Sequence, residues 1–177
     1  NLLKNKINFK ILIIGNGVEE NNLKKYIDDN NLNNFVKIKQ FTNNPYAIIK
    51  QSDVLVLSSK YEGLPNVLIE AQAVGVPVLS TFAGGSSDTF SNLETGVLLE
   101  DESPQGIADR IMMCLVDFSW RSRAGEKAER DTKEIFSLET LTMNLENLYN
   151  EVSNSAATGW SRDAGLMSKF RALVGLE

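Results

Sequence analysis

Two glutamates, Glu62 and Glu70, stand eight residues apart in the run Tyr61-Glu62-Gly63-Leu64-Pro65-Asn66-Val67-Leu68-Ile69-Glu70-Ala71. Pro65 between them suits the first position of a helix, where no backbone N–H is needed. The spacing therefore puts one carboxylate ahead of a helix start and the other inside the helix. Carboxylates accept hydrogen bonds from hydroxyl groups, and the free N–H groups of a helix start attract an anion. Together these are the parts of a ligand site, not of a core. Either glutamate alone would read as a solvated residue complementing the helix dipole.

The elements around this pair must present it to a ligand. Asp53-Val54-Leu55-Val56-Leu57 is a short apolar run ended by Ser58-Ser59, the pattern of a strand buried on both faces of a parallel sheet. In open α/β sheets ligands sit outside the carboxyl ends of such strands. Upstream, Phe9 to Ile14 is a strand candidate, followed by Gly15-Asn16-Gly17 and a polar helix from about Glu19 to Asp29 with Leu23, Tyr26 and Ile27 inward. A short strand at Phe35 to Ile38, a turn at Asn43-Asn44-Pro45 and a short helix through Tyr46, Ile48 and Ile49 lead to the Asp53 strand. Downstream, Gly75 stops the glutamate-bearing helix and Val76 to Ser80 forms another strand. Gly84-Gly85-Ser86-Ser87-Asp88 makes a glycine-rich turn, and Gly96 to Leu99 a last strand. Ser103-Pro104 then opens a helix with Ile107, Ile111 and Leu115 on one face, and Leu138, Leu141, Leu145, Leu148 and Val152 mark a clear amphipathic helix. The alternation predicts an α/β fold: a Rossmann-like, doubly wound parallel sheet with flanking helices.

Composition narrows the chemistry. The 177 residues, 42% hydrophobic, suffice for one good core, and the predicted organisation is a single domain over 1–154 followed by an amphipathic segment, 155–177. A formal net charge of -5 leaves no overall electrostatic footprint for nucleic acid or anionic lipid. With no histidine, a Ser-His-Asp or Cys-His unit and the usual histidine metal site are excluded. The single cysteine, Cys114, lies beside Met112 and Met113 in an apolar helical stretch and reads as a buried structural thiol. No apolar run is long enough to span a bilayer and the amino end shows no signal-peptide pattern, so the expected compartment is the cytoplasm. The charged mixture from Arg121 to Lys133 reads as a solvated helical face.

The run from Ser58 to Ser80, containing Glu62-Gly63-Leu64-Pro65-Asn66 and Glu70-Ala71, resembles the signature of family 4 retaining glycosyltransferases with the GT-B fold. The resemblance extends from the Ile11–Gly17 strand and turn, through Gly84-Gly85 and Thr95-Gly96, to about Asn150. It implies the carboxyl-terminal, donor-binding half of a GT-B enzyme, with a nucleotide diphosphate sugar as donor, no metal ion and no further cofactor. Glu62 would lie beside the donor sugar as the catalytic carboxylate, and Glu70 would hold the ribose hydroxyls. The physics agrees, since a carboxylate can accept two hydrogen bonds from a vicinal diol and the backbone of Gly63, Leu64, Pro65, Asn66 and Val67 can face a diphosphate at a helix start. By the same resemblance Gly15 and Gly17 would let the nucleotide approach the backbone closely, and Phe41 and Thr42 would sit at the base pocket.

Two departures stand out. Where the family's glycine-rich turn ends in glutamate, this chain has the shorter Asp88. The upstream arginine and lysine that neutralise the donor diphosphate are absent, and Lys4, Lys6 and Lys10 do not match them. The amino-terminal acceptor-binding domain is also missing, so the chain is expected to bind nucleotide weakly and transfer no sugar by itself. Analogy with bacterial relatives acting on lipid-linked or cell-envelope glycans would put the parent enzyme at the inner face of the membrane. Competing readings are a GT-B sugar-nucleotide epimerase and a non-catalytic nucleotide-sugar module. A dinucleotide-dependent oxidoreductase would need a third glycine after Gly15-Asn16-Gly17. In the tail, Leu166, Met167, Phe170, Leu173 and Val174 form an apolar stripe that packs on this domain, on the missing one or on another chain.

Overall fold

The structure is a computed structural model that describes residues 8–157, with side chains through Ser153. The Leu166 to Val174 stripe, Lys4 and Lys6 lie outside the described residues. Internal contacts divide the chain into two compact units, Asn1–Ile48 and Ile49–Glu177.

In the first unit, β1 (Ile11–Ile14) and β2 (Val36–Lys39) pair in parallel with Ile11 opposite Val36, and α1 (Glu20–Asp29) connects them. The helix ends in a Schellman motif. Asn31 takes φ 55 where glycine is usual, the Asn31 N–H donates to Asp28 O at 3.0 Å, and the Leu32 N–H donates to Ile27 O at 2.8 Å. Ile27 is buried as expected, but Tyr26 is 62% exposed and points outward. A ten-residue helix against a two-stranded ladder has room for a narrow apolar stripe only, and Ile27 occupies it.

In the second unit, β3 (Leu55–Leu57), β4 (Val78–Thr81) and β5 (Gly96–Leu99) form a parallel sheet in that order. The short helix α2 (Tyr46–Ile49) precedes it. The expected parallel α/β organisation is thus present, its ladder running in a two-stranded and a three-stranded sheet. Burial is concentrated on β4, where all four residues are buried. Their side chains alternate between two layers. Val78 packs with Ile49, Leu68, Ala71 and Val76 on one face, and Leu79 with Val97, Leu99 and Cys114 on the other. The expectation of a strand buried on both faces fails for β3, where Val56 is 40% exposed. The reason is position, since β3 ends the three-strand order and β4 takes the centre.

The helices begin and end as local chemistry dictates. In α4 (Pro104–Val116), Ser103 Oγ accepts the Gly106 N–H at 3.0 Å. In α5 (Phe118–Ile135), Asp117 accepts the Trp120 N–H at 2.8 Å. In α6 (Leu138–Ala157), Ser137 Oγ accepts the Thr140 N–H at 3.1 Å. The Arg121 to Lys133 stretch is not solvated throughout. Arg121 donates to the Cys114 and Leu115 carbonyls that end α4 and pairs with Asp53 at 3.4 Å. Ala124, Gly125, Ala128 and Thr132 of the same helix are buried.

Candidate donor site

The helix that carries Glu70 is α3 (Asn66–Ala73). Pro65 stands one residue earlier than expected, at the N-cap with φ -75 and ψ 97, and Asn66 is the first helical residue. An extended ψ at Pro65 lets the chain enter the helix from the strand side, which a proline already in helical geometry would not. No side chain caps this start and no acidic residue occupies its first turn. Among the described residues no carboxylate is bonded to its early N–H groups, and an anion placed there would meet donors and a favourable dipole. The far end closes with Gly75 at φ 76, whose N–H donates to Gln72 O at 2.9 Å, while the Val76 N–H donates to Ala71 O at 3.0 Å.

Glu62 lies in the loop after β3 and Glu70 in the second turn of α3, both half-buried. Among the described residues neither carboxylate forms an ion pair or a hydrogen bond with the rest of the chain. Two half-buried acids left without internal partners keep their acceptor capacity for a ligand. Of the neighbouring positions, Gly63, Leu64 and Asn66 are exposed, Val67 is half-buried and Pro65 is buried. A side chain at Gly63 would meet nothing within 4 Å, so the loop is open on that side.

What fixes the loop is the segment after β4, a contribution the sequence reading did not foresee. Gly84–Thr89 forms a 3-10 helix, and its first two residues lie against the Glu62–Gly63 backbone. The Gly85 N–H reaches Glu62 O at 3.4 Å. A buried polar chain stands behind it. Ser86 Oγ donates to Thr81 O at 2.8 Å and accepts the Ala83 N–H at 3.1 Å. Thr89 Oγ1 donates to Ser86 O at 2.7 Å, and Gln72 Nε2 donates to Thr89 O at 2.6 Å. Thr81 Oγ1 donates to Ser59 O at 2.5 Å, which ties the start of the Glu62 loop to β4. A cluster of small and hydroxylic residues after a strand was the available signal. Asp88 is exposed on the same 3-10 helix, on the Gly85 side.

Gly15, Gly17, Phe41 and Thr42 belong to the first unit. Gly15 takes φ 150, its N–H donates to Lys39 O at 3.0 Å, and side chains at Gly15 or Gly17 would meet nothing within 4 Å. Asn16 Oδ1 accepts the Phe41 N–H at 2.8 Å, joining the turn after β1 to the chain after β2. Phe41 is exposed, and Thr42 Oγ1 accepts the Asn44 N–H at 3.2 Å to shape the turn before Pro45. A cavity of about 100 Å³ lined by Gln72, Asp88, Thr95, Asp131 and Phe136, and one of about 320 Å³ around Asp101, Asp109 and Arg110, do not include Glu62 or Glu70.

Comparison with known proteins agrees with the resemblance in the sequence. The profile of the family described as glycosyl transferases group 1 matches residues 1–131. The chain is 34% identical over 145 residues to the capsular polysaccharide biosynthesis glycosyltransferase CapM of Staphylococcus aureus, covering 81% of this chain and 38% of CapM. It is 27% identical over 154 residues to the N-acetyl-alpha-D-glucosaminyl L-malate synthase of Bacillus anthracis, covering 87% of this chain and 40% of that protein. Among solved structures, TarM superposes with a TM-score of 0.75 at 28% identity, over 84% of this chain and 30% of TarM. A mutant of S. aureus TarM has been solved in complex with fondaparinux, alpha-GlcNAc-glycerol and UDP. The chain thus spans less than half the length of these relatives, and it belongs to the group 1 glycosyl transferases, with the Rossmann-like architecture of one half of a GT-B enzyme.

Proposed function

We propose that this chain is the carboxyl-terminal, donor-binding half of a retaining glycosyltransferase that takes a sugar from a nucleotide diphosphate for bacterial cell-envelope polysaccharide synthesis. The observation that carries the reading is the pair of half-buried, internally unpartnered carboxylates, Glu62 and Glu70, around the uncapped start of α3. In this reading Glu70 grips the ribose diol, and Glu62 lies at the donor sugar. The backbone from Gly63 to Val67 receives the diphosphate on the N–H groups of Gly63, Leu64, Asn66 and Val67 at and before the helix start, so that neither a metal ion nor a side-chain cation is required from this half. The UDP held by the TarM mutant supports a uridine nucleotide as the first ligand to try.

Acceptor binding and most of the rate are assigned to a partner domain, because orientation and water exclusion come from closing a cleft around both substrates. In the parent enzyme that domain would face lipid-linked or envelope glycans, which would put the enzyme at the inner face of the membrane. Calorimetric titration of the chain with UDP tests the reading. Binding in the high-micromolar to millimolar range, weakened at least about tenfold in Glu70→Ala, is expected, since a site built to hold hydroxyls loses that much without its acceptor. No heat at millimolar UDP, or unchanged binding in Glu70→Ala, overturns it. Turnover of a nucleotide sugar onto an acceptor by the chain alone would overturn the assignment of catalysis to the closed, two-domain enzyme.

A further inference from the structure

Among the described residues the Glu62 carboxylate makes no hydrogen bond or ion pair, so no polar side-chain partner fixes it and the course of its backbone governs where it stands. That backbone is met by two residues that only hydrogen side chains permit. A Cβ on Gly84 would stand 2.4 Å from Glu62 O, and one on Gly85 would stand 1.9 Å from Gly63 O. Real Cβ atoms do not approach a carbonyl oxygen so closely, and Gly84 also holds φ 61, a conformation glycine adopts freely. Glu70 is placed differently, by the backbone of α3, a helix anchored through its buried Leu68, Ala71 and Gln72.

We propose that Gly84 and Gly85 are positioning residues for Glu62. Together with the Ser86 hydroxyl they hold the Glu62–Gly63 backbone where the carboxylate faces the donor sugar and the Gly63 amide faces the diphosphate, while leaving the Glu70 ribose contact independent. The inference rests on the donor-site reading above. Its physical core is steric. A methyl group at Gly85 cannot coexist with the Gly63 carbonyl, and the relief open to the structure is movement of the loop between Ser59 and Pro65, whose outer side is empty at Gly63. The inner side cannot yield as easily, because Ser86, Thr89, Gln72 and Thr81 are all buried and each side chain donates to a backbone carbonyl, of Thr81, Ser86, Thr89 and Ser59 respectively.

The test compares the unmodified chain with Gly85→Ala and Ser86→Ala, first free and then titrated with UMP and UDP, by amide chemical shifts. In the free Gly85→Ala chain the amides of Tyr61, Glu62, Gly63 and Leu64 are expected to move, while those of Glu70 to Ala73 and of Val97 to Leu99 stay in place. UMP, held through its ribose, should bind within about twofold of the unmodified chain, whereas UDP should weaken about tenfold, because only the second phosphate depends on the displaced loop. A merely structural role would weaken both ligands by one factor. Equal loss for UMP and UDP, or unmoved Tyr61 to Leu64 amides in a folded variant, overturns the proposal. If Gly85→Ala does not fold, Ser86→Ala decides in its place, since it keeps both glycines and removes only the hydrogen bonds behind them; the same pattern with smaller shifts is expected, and an unchanged loop is fatal. If the unmodified chain ignores both nucleotides, the donor-site reading fails, and the free-chain shifts alone decide whether the glycine pair holds the loop.

Discussion

The β3–β4–β5 layer with α3 and α4 and the long helix α6 are built on opposite terms. In the layer, apolar side chains fill both faces of β4 and the polar groups that remain inside bond to backbone, so no buried side-chain polar atom among the described residues lacks a partner. In α6 the regular stripe at Leu138, Leu141 and Leu145 is 74%, 53% and 37% exposed, and only Leu148 and Val152 are half-buried. Periodicity made a helix in both places, but it does not say what the apolar face meets. The contacts that matter for the donor site are likewise non-periodic. They join Glu62 to Gly84 and Gln72 to Thr89, pairs that come together only because parallel strands put their carboxyl ends side by side.

The sharpest way to break this comparison is chemical access to Cys114. Burial pushes its thiol from 9.0 up to about 12, against the opposing pull of Arg121 and Arg110. At pH 8 the reactive thiolate population should be lower by about a thousandfold than in the unfolded chain, so iodoacetamide should modify Cys114 only through unfolding. The sign for stability follows. A raised native pKa makes the neutral thiol's contribution complete below pH 9.0 and lost as pH climbs toward 12, and the unmodified chain should therefore lose stability faster than Cys114→Ala above pH 9. Rapid native-state alkylation at pH 8 would mean that the layer is not closed.

Leu68→Ala tests the same closure by volume. Leu68 is fully buried against Ile49, Ala71 and Val78, and its truncation should cost about 2–5 kcal/mol in urea unfolding. A loss under about 1 kcal/mol would show that the site can collapse around the cavity. Gln72→Leu comes next. It keeps the volume but leaves Thr89 O without its donor inside the protein, for an expected cost of about 1–3 kcal/mol. A neutral result would mean that water reaches Thr89 O and that the polar chain behind the glycine pair is softer than its bond lengths suggest.

The pattern of what could be read in advance follows from range. Short β-branched runs, Gly75 after α3, and Ser103 with Pro104 before α4 act within a few residues, so the succession of strands and helices, the α3 stop and the α4 cap were legible in the chain itself. The eight-residue spacing of Glu62 and Glu70 is local, so their proposed pairing could be read from the chain itself. Tyr26 and Val56 were misplaced because burial on a given face depends on how many strands and helices cover it, which no window around either residue contains. Gly84 and Gly85 were visible as a turn but not as the wall of a site, since the atoms they must avoid belong to residues 62 and 63.

The smallest expected effect is the most direct test of the exposed stripe. With about half of its surface in solvent, Leu141→Ala in this chain should change unfolding free energy by no more than about 0.5 kcal/mol, against about 2–5 for the same substitution at Leu68. The identical chemical change thereby measures cover alone. Helix propensity cannot blur the result, because alanine is at least as good a helix former as leucine and Leu141 lies past the Ser137 cap. A loss above about 2 kcal/mol at Leu141 would show that the α6 face is packed in solution, and the contrast between a sealed layer and an open helix would then fall.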